Sequence, residues 1–447
     1  MKRESKNRIG LVVPKIVQNW LHFRIKKLLP KSEYTRNVLT LVTGTAIAQA
    51  IPIAVSPLLA RIFSPEEFGV FALYLSITSV FAAVSTGRYE FAITLPVDDK
   101  EAVQLLWLSL LLTFFTSIIT LIIIWIYIDE IVSLLGNPDI RPWLYVVPVT
   151  VFFSGSYRSY YYWFNRQKQF GDLSASRVSQ TLSTSVVNLG LGTASSGGAL
   201  GLVIGNVVGQ FLSATYFSWR FFREPPLGNL KPVKSEMDLL VSRYRDFPKY
   251  DVPAAFFNIS SNQAAYLLFN SFFSSAVSGY YYFGQKILNT PIMLIGNAIQ
   301  DVFKMEVIEV HNSNGDTRAT YTRTFRKLFV LAILPTTIMF FCVVEAFAFV
   351  FSEEWRTAGV YIQILIPAFF LRFICVPLSY MIYVAEKQYI NTIGQCLLLL
   401  GIIAAFFIGQ RFDAITTVQL LSLVFSLFYA SYLYISYSLT SRGQLNS

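Results

Sequence analysis

The sequence predicts an all-α integral membrane protein of about 12 transmembrane helices in two pseudo-symmetric six-helix lobes. Three observations predict it. Hydrophobic residues make up 54% of the chain and charged residues only 14%, with a mean hydropathy of +0.51, a balance that a soluble globule of 447 residues cannot accommodate. Apolar stretches of roughly 20 residues, the length that crosses a hydrocarbon core, recur twelve times from Val38 onward. Several positions also recur at constant offsets between the two halves of the chain.

The expected spans are 38–60, 68–94, 103–128, 142–164, 173–193, 198–221, 252–273, 279–300, 326–351, 359–384, 389–409 and 416–439. Arg61 closes the first as an interfacial anchor, and the second follows a Pro65-Glu66-Glu67 turn. The fourth ends in Tyr160-Tyr161-Tyr162-Trp163-Phe164, an aromatic belt. The fifth carries Ser174, Ser176, Ser179, Gln180, Ser183, Thr184 and Asn188 and counts as a span only if it lines a cavity. On the sixth, Gly197, Gly201, Gly205 and Gly209 recur every four residues and invite close helix packing.

This reading divides the chain into a basic segment 1–37, a lobe 38–221, a linker 222–251 marked by Pro225-Pro226, a lobe 252–439 and a tail 440–447. Lys15 to Leu29 has the pattern of a basic amphipathic helix on an anionic leaflet. With both termini cytoplasmic, 28 of the 36 basic residues fall on the cytoplasmic side or at the cytoplasmic ends of spans, four outside and four well inside spans. Those basic residues form no continuous stripe, which excludes a nucleic-acid surface. Cys342, Cys375 and Cys396 lie in apolar segments and His22 and His311 outside them, so neither a disulfide framework nor a metal site is expected, and no cofactor.

The repeat rests on Pro148 and Lys168-Gln169-Phe170, which match Pro367 and Lys387-Gln388-Tyr389 at an offset of 219 residues. Leu58-Leu59 and Phe63 match Leu267-Leu268 and Phe272 at 209, and Gly69 reaches Gly279 after a one-residue slip. Each half has an even number of spans, so the repeats run parallel and enclose a central cavity.

Four cations lie well inside spans: Arg88, Arg158, Lys286 and Arg372. Each costs roughly 3 kcal/mol on the insertion scale, which makes an intramembrane cation a candidate site for an anion. None has an acid three or four positions away on its own helix, and Arg88 and Glu90, two apart, are expected not to share a face. Lys286 shares a polar stripe with Tyr282, Asn289 and Asn297. Asn258, Ser261 and Asn262 share another, so Asn258, Asn262, Asn289 and Asn297 are candidate hydrogen-bonding contacts for a polar, hydroxyl-bearing substrate. Glu90, Asp301 and Glu345 are candidates either for ion coupling or for pairing with Arg88, Lys286 or Arg372 across helices.

The run Leu59-Ala60-Arg61-Ile62-Phe63-Ser64-Pro65-Glu66-Glu67-Phe68-Gly69-Val70-Phe71-Ala72 resembles the motif between the first two helices of bacterial polysaccharide exporters, the O-antigen-type flippases of the multidrug/oligosaccharidyl-lipid/polysaccharide superfamily. The resemblance extends over nearly the whole chain in span number, length and basic linker. It implies a multi-pass protein of the bacterial inner membrane that moves undecaprenyl-pyrophosphate-linked oligosaccharide, such as an O-antigen of lipopolysaccharide or a capsule or exopolysaccharide repeat, from inner to outer leaflet by alternating access, with polysaccharide polymerase machinery as a possible partner. The residues agree: a diphosphate calls for fixed cations, and arginine can bond it bidentately. The alternatives are a cation-coupled multidrug exporter of the same superfamily, expected to present acids, and a glycan polymerase or transferase. The short outer loops and the lack of a nucleophile or metal motif argue against an enzyme.

Overall fold

The computed structural model describes residues 33–194, 198–223, 231–313 and 315–441. The amphipathic pattern at Lys15–Leu29 lies outside them. Among the described residues twelve long helices follow one another: α1 Glu33–Ile62, α2 Pro65–Val84, α3 Asp99–Ile126, α4 Val147–Arg166, α5 Phe170–Ala194 and α6 Leu200–Arg223 in the first half. The second half supplies α7 Val252–Phe272, α8 Ser275–Asn312, α9 Thr317–Phe351, α10 Arg356–Leu378, α11 Tyr389–Gly409 and α12 Ala414–Ser438. Every expected span overlaps one of them. Eight are long and apolar enough to cross a membrane by composition alone; α4, α5, α7 and α8 are the more polar remainder. The protein is an all-helical, multi-pass membrane protein.

α5 packs against α6 and α1, with Ser174, Ser176 and Asn188 buried and Ser179 exposed. A Cβ on Gly205 would stand 1.8 Å from Asn188 Oδ1 and one on Gly209 2.0 Å from Thr184 Oγ1. Ser174 Oγ donates to the Thr40 carbonyl of α1 at 2.9 Å. The glycine stripe of α6 therefore receives the Ser/Thr/Asn stripe of α5, the close packing of small residues common in bilayers.

α2 is the seam of the molecule, lying against α4 on one side and against α7 and α8 on the other. Ser64 starts it with a capping box: its hydroxyl accepts from Glu67 N (3.3 Å) while Glu67 Oε2 accepts from Ser64 N (2.8 Å). Ser274 caps α8 with its hydroxyl alone, accepting from Val277 N at 3.3 Å, since Val277 has no acceptor to complete a box. Just inside these caps the helices cross without side chains between them. A Cβ on Gly69 would meet the Ser275 carbonyl oxygen at 1.9 Å, and one on Gly279 would meet the Pro65 carbonyl oxygen at 1.8 Å.

This reciprocal contact fixes the repeat register. Ser64 and Ser274, Pro65 and Ser275, and Gly69 and Gly279 are all 210 residues apart, so the offset of 209 and the slip disappear; Phe63 corresponds to Phe273. A similar adjustment applies after α4, where Lys168 adopts a left-handed φ of 57° and Glu386, not Lys387, does so in the second half. Gln169 N donates to the Phe164 carbonyl and Lys387 N to the Ile382 carbonyl, each at 3.0 Å, closing equivalent helix ends 218 residues apart.

Two further contacts lock this end of the bundle, here the hairpin end. Asn137, in the α3–α4 connection, donates to Ser275 Oγ at 2.6 Å, and Asn270 Nδ2 donates to the Leu135 carbonyl at 2.6 Å. In the other lobe, Trp355, in the α9–α10 connection, is wholly buried against Phe68 and Phe283 and donates Nε1 to the Ala60 carbonyl at 2.8 Å. Each lobe thus grips the first hairpin of the other. At the opposite, linker end, a short helix Lys234–Arg243 docks on α3, where Gln104 donates to the Lys231 carbonyl (3.0 Å) and accepts from Val233 N (2.9 Å).

Candidate functional site

The second expected span, 68–94, does not form one helix. α2 stops at Val84, and Gly87 (φ 60°) and Arg88 (φ 64°) turn the chain into a short helix Tyr89–Ala92. A left-handed arginine is uncommon and marks a constrained site. The break also overturns the expectation that Arg88 and Glu90 cannot meet. Arg88 Nη1 lies 3.6 Å from Glu90 Oε1, and Glu90, 1% exposed, also accepts from the Thr86 hydroxyl. Arg88 stacks on Phe91 at 4.4 Å, and its Nε is buried without a partner. Arg158, on α4, donates to the Ala82 carbonyl of α2 at 3.3 Å, an oxygen that also accepts from the Ser85 hydroxyl at 3.0 Å.

The second lobe holds its cations differently. Arg372 comes from the middle of α10 and donates Nη1 to Asn289 Oδ1 of α8 at 2.8 Å; Asn289 Nδ2 donates in turn to Gln285 Oε1 at 2.8 Å. These three side chains line a cavity of about 160 Å³ with Ser261, Asn262 and Gln263 of α7 and the rings of Tyr266, Tyr281 and Tyr429. Gln263 also reaches across the seam, accepting from Ser76 Oγ of α2 at 3.1 Å. Lys286 lies on the neighbouring face of α8, its Nζ 5.8 Å from the ring of Tyr282, and Tyr282 packs on Phe68 and Phe71 of α2. Among the described residues neither Lys286 nor Arg372 has a carboxylate within ion-pair distance.

The four cations therefore occupy three places: Arg88 with Arg158, Arg372 in its polar cavity, and Lys286 on the seam. Of the asparagines, Asn262 and Asn289 line the cavity; Asn258 is exposed one turn from Asn262, whose Nδ2 donates to its carbonyl at 2.7 Å, and Asn297 is exposed two turns from Asn289. Glu345 does not pair with an intramembrane cation. It meets Arg356 at 2.5 Å at the hairpin end, because α9 brings it to the helix terminus rather than to the level of Arg372. Asp301 is exposed and has no ion pair among the described residues.

One cation escaped the sequence reading. Arg177, four residues into the expected 173–193 span, is not among the four candidate cations of the sequence. It donates to Thr45 Oγ1 of α1 at 2.6 Å and to Tyr161 OH of α4 at 2.8 Å, tying three helices together. Its place inside an apolar count was the available signal. Among the described residues no cluster of His, Cys, Asp and Glu could hold a metal.

The model of a family described as polysaccharide biosynthesis protein matches residues 58–359, a stretch that contains the capped α1–α2 hairpin, the seam and three of the four cations. The chain belongs to the polysaccharide biosynthesis protein family. No curated protein matches it. Among solved structures, this family member is similar to the lipid II flippase MurJ in an inward closed conformation, with a TM-score of 0.72, 12% identity, and coverage of 89% of this chain and 87% of the other. It is also similar to an inward-facing multidrug resistance MATE family transporter of the MOP superfamily (TM-score 0.58, 12% identity, 88% and 93% covered). A third is a MOP superfamily transporter from Pyrococcus furiosus, described by the reverse polarity of its binding pocket (TM-score 0.56, 11% identity, 90% and 94% covered).

Proposed function

We propose that this protein is a flippase that carries a lipid-diphosphate-linked oligosaccharide, an O-antigen, capsule or exopolysaccharide repeat on an undecaprenyl carrier, across the bacterial inner membrane by alternating access. The observation that carries the reading is the pair Lys286 and Arg372. Two cations at membrane depth with no carboxylate beside them leave a positive field that an anionic group relieves, and the amides and phenols around Arg372 offer hydrogen bonds to an anion's oxygens or to hydroxyls. Arg88 and Arg158, with Glu90 between them, form a second station of lower net charge. In this reading the hairpin end faces outward, both termini are cytoplasmic, and the crossed glycines hold the outer side shut while substrate enters from the linker end. Asp301 and Glu345, exposed or paired at the surface, are poorly placed to couple an ion to the cavity; Glu90 is the better candidate. A polysaccharide polymerase on the outer face is the expected consumer of the product.

The test is transport into vesicles containing only the purified protein, read by protection of a lipid-diphosphate oligosaccharide from an external glycan-modifying enzyme. Protein-dependent protection that disappears in the Lys286→Ala/Arg372→Ala variant supports the reading. Export of a cationic drug with no movement of the lipid-linked sugar would replace it with the drug-exporter alternative.

A further inference from the structure

A second cavity lies in the first lobe, between α3, α4 and α6, away from the polar pocket of Arg372. Its volume is about 380 Å³, and Pro232 and Met237 of the linker close part of it. That volume is within the range of about 300–1,000 Å³ typical of sites that hold small molecules. Its walls are mainly apolar, built from Trp107, Leu110, Phe114 and Phe153, and at the rim Leu111 and Phe114 are 46% and 49% exposed on an apolar spanning helix. A groove of this composition that opens toward hydrocarbon is filled by lipid chain rather than by water, because it offers water too few polar partners.

Two independent features indicate what kind of lipid. Ser156, 6% exposed, lines the cavity, and its hydroxyl has no hydrogen-bond partner. Helical serines commonly satisfy themselves on the carbonyl one turn back, as Ser159 does on Gly155 at 3.0 Å. An unpaired buried hydroxyl is unfavourable and is relieved by an acceptor from a ligand. At the linker end, Lys231 and Lys234 flank Pro232, and Arg223 closes α6; all three are exposed. Glu236 and Asp238 on the same linker helix are also exposed, so the local excess of positive charge is small and concentrated beside Pro232.

We propose that this groove binds one anionic phospholipid of the surrounding leaflet. An acyl chain lies along Leu110, Phe114 and Phe153, an ester carbonyl accepts from Ser156 Oγ, and the headgroup phosphate rests against Lys231 and Lys234. Because Gln104 moors the linker at the same place, the bound lipid stiffens the segment that joins the two lobes. The proposal does not depend on the transported substrate.

The experiment is native mass spectrometry of the purified full chain with phosphatidylglycerol, phosphatidylethanolamine of the same acyl chains, and inorganic phosphate. The expected result is one phosphatidylglycerol per chain, retained at least fivefold over phosphatidylethanolamine, with the preference lost in Lys231→Glu/Lys234→Glu. Ser156→Ala should weaken retention about threefold, and the rim variant Leu111→Trp should lower retention of both lipids while eluting like the wild type. Equal retention of the two lipids, or full retention by Leu111→Trp, overturns the site. Displacement of the lipid by inorganic phosphate would reduce it to the lysines alone, and displacement by a polyprenyl diphosphate would assign the groove to substrate; either outcome overturns the proposal.

Discussion

The two lobes share a helical plan and hold their membrane-depth cations in opposite ways. In the first, Arg88 has Glu90, Arg158 has the Ala82 carbonyl, and Arg177 has Thr45 and Tyr161. In the second, among the described residues, Arg372 bonds a neutral amide and Lys286 lies by the face of Tyr282, neither with a carboxylate in ion-pair reach. The backbone makes the difference. α2 breaks at Gly87 and Arg88 and so swings Glu90 toward Arg88, whereas α8, its counterpart, runs unbroken for 38 residues and carries its acids, Asp301, Glu306 and Glu309, four turns or more beyond Lys286. Equal fold therefore does not mean equal electrostatics. A buried cation whose charge is answered internally contributes to structure; one left unanswered is available to a ligand.

Four experiments would break or sharpen that contrast. The largest effect is expected at the seam both lobes share: Gly69→Val or Gly279→Val places carbon within 2 Å of a carbonyl oxygen, so the hairpin end must part. Cysteine cross-linking between the α2 and α8 caps should fall from efficient to absent in both variants, and an effect from one glycine only would contradict the reciprocal contact. Next, Arg372→Met should reduce transport at least tenfold with normal protein levels, while Arg177→Met should lower the melting temperature and leave transport per folded molecule within about twofold. If the two exchange phenotypes, the division into answered and unanswered cations fails. Third, Trp355→Phe removes one buried hydrogen bond, with a loss of about 1 kcal/mol. Asn137→Ala should lose a similar amount, and the two should combine almost additively in thermal unfolding because each sits on a different lobe's grip. Smallest, Glu90→Gln leaves Arg88 and Arg158 with one fewer countercharge and should raise the apparent affinity for a lipid diphosphate about threefold in a binding titration. Unchanged or weaker binding would show that Glu90 does not screen those arginines.

Much of this architecture was legible because bilayer physics imposes simple rules on sequence. Twelve spans, the glycine stripe on α6 and the capped α1–α2 hairpin follow from segment length, residue size and turn chemistry. The site was less legible. Hydropathy reads Ser85-Thr86-Gly87 as an interior of a span, although together they are a breaking signal, and so the Arg88–Glu90 pair was missed. On α5 the sequence does not separate a polar side chain facing glycine from one facing water; Asn188 against Gly205 is the first kind, and Ser179 is exposed. Pairings across helices, such as Arg372 with Asn289 or Glu345 with Arg356, depend on helix depth and rotation, which no single segment encodes.

The crossed glycines carry one last consequence. A contact in which Gly69 meets Ser275 and Gly279 meets Pro65 is what a twofold axis produces when one patch meets its own copy. The hairpin end is thus built like an isologous homodimer interface drawn inside a single polypeptide. Any change at such a patch acts twice while its two copies are identical, which disfavours drift there. Away from that patch the two halves differ, with an acid beside Arg88 and, among the described residues, none beside Arg372.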